Sequence, residues 1–293
     1  MLQPRPGAVV VDCTLGGGGH ARALLERIRP GGRLLGLDRD PHALAGAQAA
    51  LVEFGTAFET AHGNFADLER ISAEAGFEPA DAVLFDLGVS SDQLEDPRRG
   101  FSFQREGPLD MRLDPGEQQT AAQLVNQLPE RELAELIRDY GEERWARRIA
   151  QFILRRRPLR TTRELSAAVE AAVPRAAWPR DIHPATRTFQ ALRIAVNDEL
   201  ESLKRGLRAA ISILNPGGRM ATICFHSLED RSVKDFFNVE SKDCVCPPHQ
   251  PVCTCAHRAS LRILTRRPIR PADAEVQSNP RARSARLRAA EKL

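Results

Sequence analysis

The sequence predicts an α/β protein in which an open, mostly parallel sheet is interrupted by an inserted all-helical domain. Three observations predict it. Short apolar runs that read as buried strands occur near both ends of the chain, a glycine loop joins the first of them to a helical pattern, and residues from about 105 to 195 hold amphipathic helices with no convincing strand. The 293 residues are about twice a common domain length. A composition of 42% hydrophobic and 28% charged residues is ordinary for a globular protein and excludes a chain disordered throughout. A mean hydropathy of -0.36, with no apolar run near about 20 residues, excludes a membrane span. Met1 to Gly7 contain no apolar secretory core, so the expectation is a cytoplasmic protein.

The opening Ala8-Val9-Val10-Val11-Asp12 reads as a strand, Cys13 to His20 as a glycine loop, and Ala21 to Ile28 as a helix. A second strand, Arg33 to Leu37, ends at Asp38 and precedes an alanine-rich helix that opens near Pro41, a residue suited to the first helical position. Ala80 to Asp86 is another buried strand. Arg219 to His226 is a further one, after the turn Asn215-Pro216-Gly217-Gly218. In the helical stretch, Leu133, Leu136, Ile137 and Tyr140 share one face and Trp145, Ile149, Phe152 and Ile153 another; Thr161 and Glu164 form a capping box. Phe189, Leu192, Val196, Leu200, Leu203, Leu207, Ile211 and Leu214 step by three or four, which predicts one long helix leading back to the sheet. The domain reading is therefore 1–104 for the first part of the sheet domain, 105–195 for the helical insertion, and 196–293 for the second part with a basic C-terminal tail.

Net charge is only +3, but residues 256–293 hold ten Lys or Arg against three acids. That asymmetry points to a polyanion at the tail. Within it, Arg281, Arg283, Arg286 and Arg288 are spaced by small or apolar residues and can neutralise several phosphates. Arg187, Gln190, Arg193 and Asn197 make a second polar, cationic row at helical spacing, for which RNA phosphate and plain solvent are both suitable neighbours.

Glycines 16 to 19 directly after a strand let a ligand approach the backbone and expose amide N–H groups at a helix N-terminus. Asp38, closing the next strand, is placed to accept hydrogen bonds from both hydroxyls of a ribose. Together they imply a nucleoside-bearing cofactor. The pattern Gly16-x-Gly18-x-x-Ala21 also satisfies the dinucleotide fingerprint, so it does not separate a nicotinamide oxidoreductase from a methyltransferase. Asp86 ends a strand at the sheet edge that holds chemistry in open α/β folds, and the small residues Gly88, Ser90 and Ser91 leave room there for a planar base. Asp86, Ser90 and Ser91 are the candidate catalytic residues. Phe101 and Phe103 either stack on a base or anchor their loop. Four of six cysteines, Cys244, Cys246, Cys253 and Cys255, flank a Pro-rich segment with His257 just beyond. They read as candidate metal ligands, a redox pair or free thiols; the Cys-x-Cys spacing is tighter than the usual knuckle.

Several blocks taken together point to one family. They are Asp12-Cys13-Thr14-Leu15-Gly16-Gly17-Gly18-Gly19-His20, Leu37-Asp38-Arg39-Asp40-Pro41, Asp86-Leu87-Gly88-Val89-Ser90-Ser91-x-Gln93-Leu94, Arg99-Gly100-Phe101-Ser102-Phe103, Gly107 to Arg112, Tyr140-Gly141-Glu142-Glu143, Ile182 to Arg193, Phe225 to Arg231 and Asn279 to Ala285. In this order the chain resembles the bacterial RsmH (MraW) family of small-subunit ribosomal RNA cytosine-N4 methyltransferases, from residue 12 to residue 285. The resemblance implies a class I Rossmann-like methyltransferase sheet with an inserted helical domain, S-adenosyl-L-methionine as cofactor, and N4 of a decoding-region cytosine in 16S ribosomal RNA as target. It implies cofactor contacts at Gly18, Gly19, His20, Asp38, Phe65, Asp86 and Gln93, of which Phe65 is named by the resemblance alone. Arg187, Arg193, Arg281 and Arg283 are the candidate RNA contacts. The expected partner is 16S ribosomal RNA in the small ribosomal subunit, with no membrane and with a homodimer left open. Two departures stand out: the family's further N-terminal segment with a His-x-Pro-Val-Leu pattern does not precede the first strand here, and Cys13 stands where a small Ala or Gly is common.

Overall fold

A computed structural model describes residues 1–247, 250 and 252–293. The chain forms two compact units, one made of Met1–Gly88 and Leu200–Leu293, the other of Val89–Glu199. The second unit therefore begins before residue 105 and ends after residue 195. The reason is packing: Val89, Leu94, Phe101 and Phe103 join Leu109, Met111 and Leu192 in the helical core, so the segment up to Gln104 goes with the helices and not with the sheet.

The first unit is a seven-stranded sheet in the order β3-β2-β1-β4-β5-β7-β6. Its strands are β1 (Val9–Asp12), β2 (Arg33–Asp38), β3 (Phe58–His62), β4 (Ala80–Asp86), β5 (Leu214–Cys224), β6 (Leu261–Ile263) and β7 (Arg286–Lys292). The first five run parallel, and β7 lies antiparallel between β5 and β6. This is the class I Rossmann-like sheet that the resemblance implied. Strands buried on both faces read as unbroken apolar runs. Successive residues serve opposite layers: Val10 and Leu84 pack with Leu24, Leu25 and Ile28 of α1 (Gly19–Ile28) and Leu44 of α2 (Pro41–Ala50). Val11 and Phe85 pack on the other side with Leu68 and Ile71 of α3 (Leu68–Ala75). As the position of Pro41 predicted, α2 starts there, with Asp40 accepting from the His42 N–H at 2.9 Å.

The second unit holds α4 (Ser91–Glu95), α5 (Ala121–Gln127), α6 (Glu130–Gly141), α7 (Ala146–Arg156), α8 (Thr162–Ala172) and α9 (Thr186–Asn197). The predicted capping box is present: Thr161 Oγ1 accepts from the Glu164 N–H at 3.2 Å while Glu164 accepts from the Thr161 N–H at 3.0 Å. Phe101 is buried in this core, and Phe103 stacks on His183 at 4.5 Å and meets Phe189 edge-on at 5.1 Å. Loop anchoring, rather than base stacking, accounts for both rings.

Three sequence expectations need correction. The long helix is two, α9 and α10 (Glu199–Ile213), because Asp198 adopts φ 48 and ends the first. The turn 215–218 lies inside β5, which starts at Leu214 and shifts register opposite Ala80 and Ala82. The end of the basic tail is a strand: Arg288 in β7 is buried and donates to Asp230 at 2.6 Å, with Arg286 on the same carboxylate at 3.0 Å. Asp230 belongs to α11 (Ser227–Glu240); the remaining helix, α12 (Asp273–Ser278), is exposed. Among the described residues no helix is long and apolar enough to cross a membrane.

Candidate active site

The first unit gathers three strand-ending carboxylates around the glycine loop. After Asp12 the chain stays tied to the sheet, since the Cys13 N–H donates to the Leu84 carbonyl and the Leu15 N–H to the Leu37 carbonyl, each at 2.8 Å. The loop is then fastened to β2 by Asp38, whose Oδ2 accepts the Gly16 N–H at 2.8 Å and whose Oδ1 accepts the Asp40 N–H at 2.9 Å. Gly18 has φ +80, and its N–H is spent on the Leu15 carbonyl at 2.8 Å. Its contribution is therefore the left-handed turn and not an amide offered to a ligand; a Cβ there would also stand 3.0 Å from Leu51. Gly17 and Gly19 have open space where a Cβ would project, so a ligand can approach the backbone there.

Asp86 ends β4, and its N–H donates to Thr14 Oγ1 at 2.6 Å. His20, in the first turn of α1, places Nε2 3.3 Å from Asp86 Oδ2 and is half exposed. The hydrogen bond to Asp86 raises the His20 pKa despite partial burial. Burial raises the Asp38 carboxyl. Asp12 is fully buried, and burial pushes its pKa up to about 7 against the backbone N–H of Thr14, with Asp86 and Asp38 adding repulsion. Asp12 Oδ2 and Asp86 Oδ1 are buried without a hydrogen-bond partner among the described residues. Asp38, Asp12 and Asp86 end neighbouring strands, and the two unpartnered oxygens among them suit N–H or positively charged groups.

Phe65 follows β3. The Gly63 N–H donates to the Asp38 carbonyl at 3.0 Å, and Asn64 caps the next turn through the Ala66 N–H, so Phe65 is carried next to the end of β2. Its ring meets Phe85 edge-on at 5.5 Å. Sequence reasoning missed the residue that makes room for it: a Cβ on Gly206 of α10 would lie 2.7 Å from Phe65 Cδ2. A glycine in the interior of a strongly periodic helix was the available signal. Asp12 and Thr14 were likewise read only as strand end and loop.

Other candidates belong to the helical unit or to the C-terminal part of the chain. In the helical unit Ser90 is the N-cap of α4, its Oγ accepting from the Gln93 N–H at 3.2 Å while the Gln93 side chain accepts from the Ser90 N–H at 2.9 Å. Ser90 and Gln93 thus build a capping box, and Ser91 is its first helical residue. Arg193 makes a two-pronged pair with Glu199, 2.8 Å at each prong, and is largely buried, which removes it from an exposed RNA-binding face. Arg187 is half-exposed, stands 3.8 Å from Glu143 and donates to the Glu142 carbonyl at 3.5 Å. Arg281 and Arg283 are exposed on the short helical turn before β7. Cys244, Cys246, Cys253 and Cys255 come together in the loop after α11.

The model of the MraW methylase family matches residues 1–293. The chain belongs to that family. Among its relatives, the ribosomal RNA small subunit methyltransferase H of Geobacter sulfurreducens is 56% identical, covering 100% of this chain and 95% of the relative. The same-named protein of Thermomicrobium roseum is 55% identical, covering 100% and 90%. Among solved structures, an rRNA methylase from Streptococcus thermophilus aligns with a TM-score of 0.44 at 12% identity, covering 99% of this chain and 90% of that one. For a member of the MraW methylase family the donor to be accommodated carries a ribose, an α-ammonium and a sulfonium. The residues fit it: Asp38 has lone pairs left on both oxygens for ribose hydroxyls, and the unpartnered oxygens of Asp12 and Asp86 suit positive or N–H groups.

Proposed function

We propose that the chain is an S-adenosyl-L-methionine-dependent methyltransferase that methylates N4 of a cytosine in the decoding region of 16S ribosomal RNA, acting in the cytoplasm on the small ribosomal subunit. The observation that carries this reading is the 56% identity, end to end, with a relative named ribosomal RNA small subunit methyltransferase H. The carboxylates around the glycine loop support the donor side of it.

The bound donor supplies an electrophilic methyl group on a sulfonium. The protein's share is positioning and electrostatics. Asp38 holds the ribose while keeping the glycine loop closed through Gly16. Phe65 and the space above Gly17 and Gly19 give the adenosine and the amino-acid end their room. Asp86 has one oxygen engaged by His20 and one bare, so it accepts an N–H at the site while His20, half exposed, can pass a proton to water. Cytosine N4 is a weak nucleophile because its lone pair is delocalised into the ring; an acceptor on its N–H favours the pyramidal, reactive nitrogen. The cytosine has to leave its stack to reach such a site. Exposed Arg281 and Arg283 and half-exposed Arg187 are the cations that this reading assigns to phosphate.

The test is mass spectrometry of a 16S ribosomal RNA fragment spanning the decoding region, from a strain lacking the gene and from the same strain complemented with wild type or Asp38→Ala. The fragment should lose the mass of one methyl group on deletion and regain it only with wild type. An unchanged mass on deletion would make the protein a binding factor without chemistry. Calorimetric binding of NADH in place of S-adenosylmethionine would make it an oxidoreductase.

A further inference from the structure

The four-cysteine loop lies outside everything the methyltransferase reading uses. It leaves α11 at Glu240 and returns at Ser260, where the base is closed by the Ser260 N–H on the Glu240 carbonyl at 2.8 Å and Ser260 Oγ on the Glu240 carboxylate at 2.6 Å. Among the described residues above that base no apolar side chain is buried, and Val245 and Val252 are 44% and 70% exposed. Yet the sulfurs of Cys244, Cys246, Cys253 and Cys255 all lie within 4.8 Å of one another. Cys244 to Cys253 is 3.5 Å, Cys253 to Cys255 3.6 Å, Cys244 to Cys255 3.8 Å and Cys246 to Cys253 4.0 Å.

Those separations discriminate among the fates of four thiols. A disulfide brings sulfurs to about 2.05 Å, and all four cysteines are free. Four thiolates at about 2.3 Å from one tetrahedral zinc stand about 3.8 Å apart along each edge, which is the middle of the observed range. In an iron–sulfur cluster the thiolates sit on different irons with sulfides between them and are forced farther apart. A Cys-x-Cys pair in extended chain puts both side chains on one side, so two such pairs can close on one ion. Backbone donors already face the sulfurs: the Cys246 N–H points to Cys244 Sγ at 3.4 Å and the Val245 N–H to Cys255 Sγ at 3.5 Å, the outer-shell contacts that favour thiolate. His257 is occupied elsewhere, with Nε2 3.1 Å from the Val239 carbonyl, so among the described residues the donor set is four sulfurs.

We propose that Cys244, Cys246, Cys253 and Cys255 bind one Zn²⁺ ion in a structural tetrathiolate site that staples residues 244–246 to residues 253–255. The site is closed, with no open position for substrate, and replaces the hydrophobic core that the loop lacks.

The full-length protein, purified without chelator from zinc-supplemented medium, should carry about one zinc per chain by elemental mass spectrometry, and a Cys253→Ser/Cys255→Ser variant none. Far-ultraviolet dichroism of the variant should match wild type, which separates loss of the site from unfolding. Apo protein given Co²⁺ should develop the visible bands of a tetrahedral tetrathiolate ion, and Zn²⁺ should bleach them. Trypsin should cut at Lys242 or Arg258 about tenfold faster in the apo protein. Reduced wild type that takes up neither ion, a variant that keeps its zinc, or iron with acid-labile sulfide in the purified protein would each overturn the proposal.

Discussion

A methyl group on Gly206 would stand 2.7 Å from Cδ2 of Phe65 and 3.1 Å from its carbonyl oxygen, so α10 passes the end of β3 only because it carries no side chain at that point. Gly206→Ala should therefore push the Phe65 turn out of place even though alanine is the better helix former by about 1 kcal/mol. The expected outcome is about tenfold weaker S-adenosylmethionine binding by calorimetry with little change in melting temperature. Phe65→Ala should weaken binding similarly, and the two changes together should not add. Wild-type affinity for Gly206→Ala would remove Phe65 from the wall of the site.

Asp38 accepts the N–H groups of Gly16 and Asp40, and the proposed function adds the ribose to that load. Asp38→Asn keeps one carbonyl acceptor and loses the charge, a loss of about 1.5–3 kcal/mol for charge-assisted hydrogen bonds. Donor binding should fall between about ten- and a hundredfold. Adenosine, which shares the ribose, should lose affinity in parallel when titrated alone.

The buried carboxyl of Asp12 gives a pH dependence with a definite sign. Its pKa is raised by burial from 3.8 to about 7, so between those values the folded state holds a proton that the unfolded state has released. Stability contributed at this position is full below pH 3.8 and is lost as pH rises toward 7. Asp12→Asn keeps the acceptor for the Thr14 N–H and removes the titration. Its melting temperature relative to wild type should climb from pH 4 to about pH 7 and then level off, with His20, Asp38 and Asp86 facing the group in both proteins. A difference independent of pH would place the proton elsewhere.

Asp230 neutralises two arginines of β7. Asp230→Ala leaves Arg288 buried and unpaired, which should cost about 3–5 kcal/mol and lower the melting temperature by roughly 10 °C. Asp230→Ala with Arg288→Leu should recover part of that loss, since the stranded charge is then gone.

RNA contacts sort by what the arginines are already doing. Arg281→Glu and Arg283→Glu should weaken RNA binding, and Arg281→Ala or Arg283→Ala should each lower the salt slope by about one. Arg193→Ala should instead reduce thermal stability, because it frees Glu199 from a two-pronged pair. Filter-binding at several salt concentrations, beside thermal scans, reads both.

The glycine loop, Asp38 and Asp86 were legible in the sequence because local chemistry marks them: strand, bend and acid follow one another within a few residues. β7 was not, because its arginines look like a solvated basic run until Asp230, far away in sequence, is seen beside them. The split between α9 and α10 was hidden by an apolar stripe that continues through the break at Asp198. Ser90 and Gln93 show a role the sequence reading did not name, since a capping box and a polar site loop have the same composition and only the hydrogen bonds reveal the cap. Phe65 carries no local mark, and the only mark of its neighbour Gly206 is a glycine inside a periodic helix; each is explained by the other.

The pairing of β4 with β5, Asp86 opposite Ile223, joins strands that have the whole helical unit between them in sequence. Such a distant contact is entropically slow to form from a floppy chain. If the insertion condenses first, it turns that long tether into a short one, and the sheet can zip afterwards. Substitutions in the helical core should then slow formation of the β4–β5 pairing in the other unit.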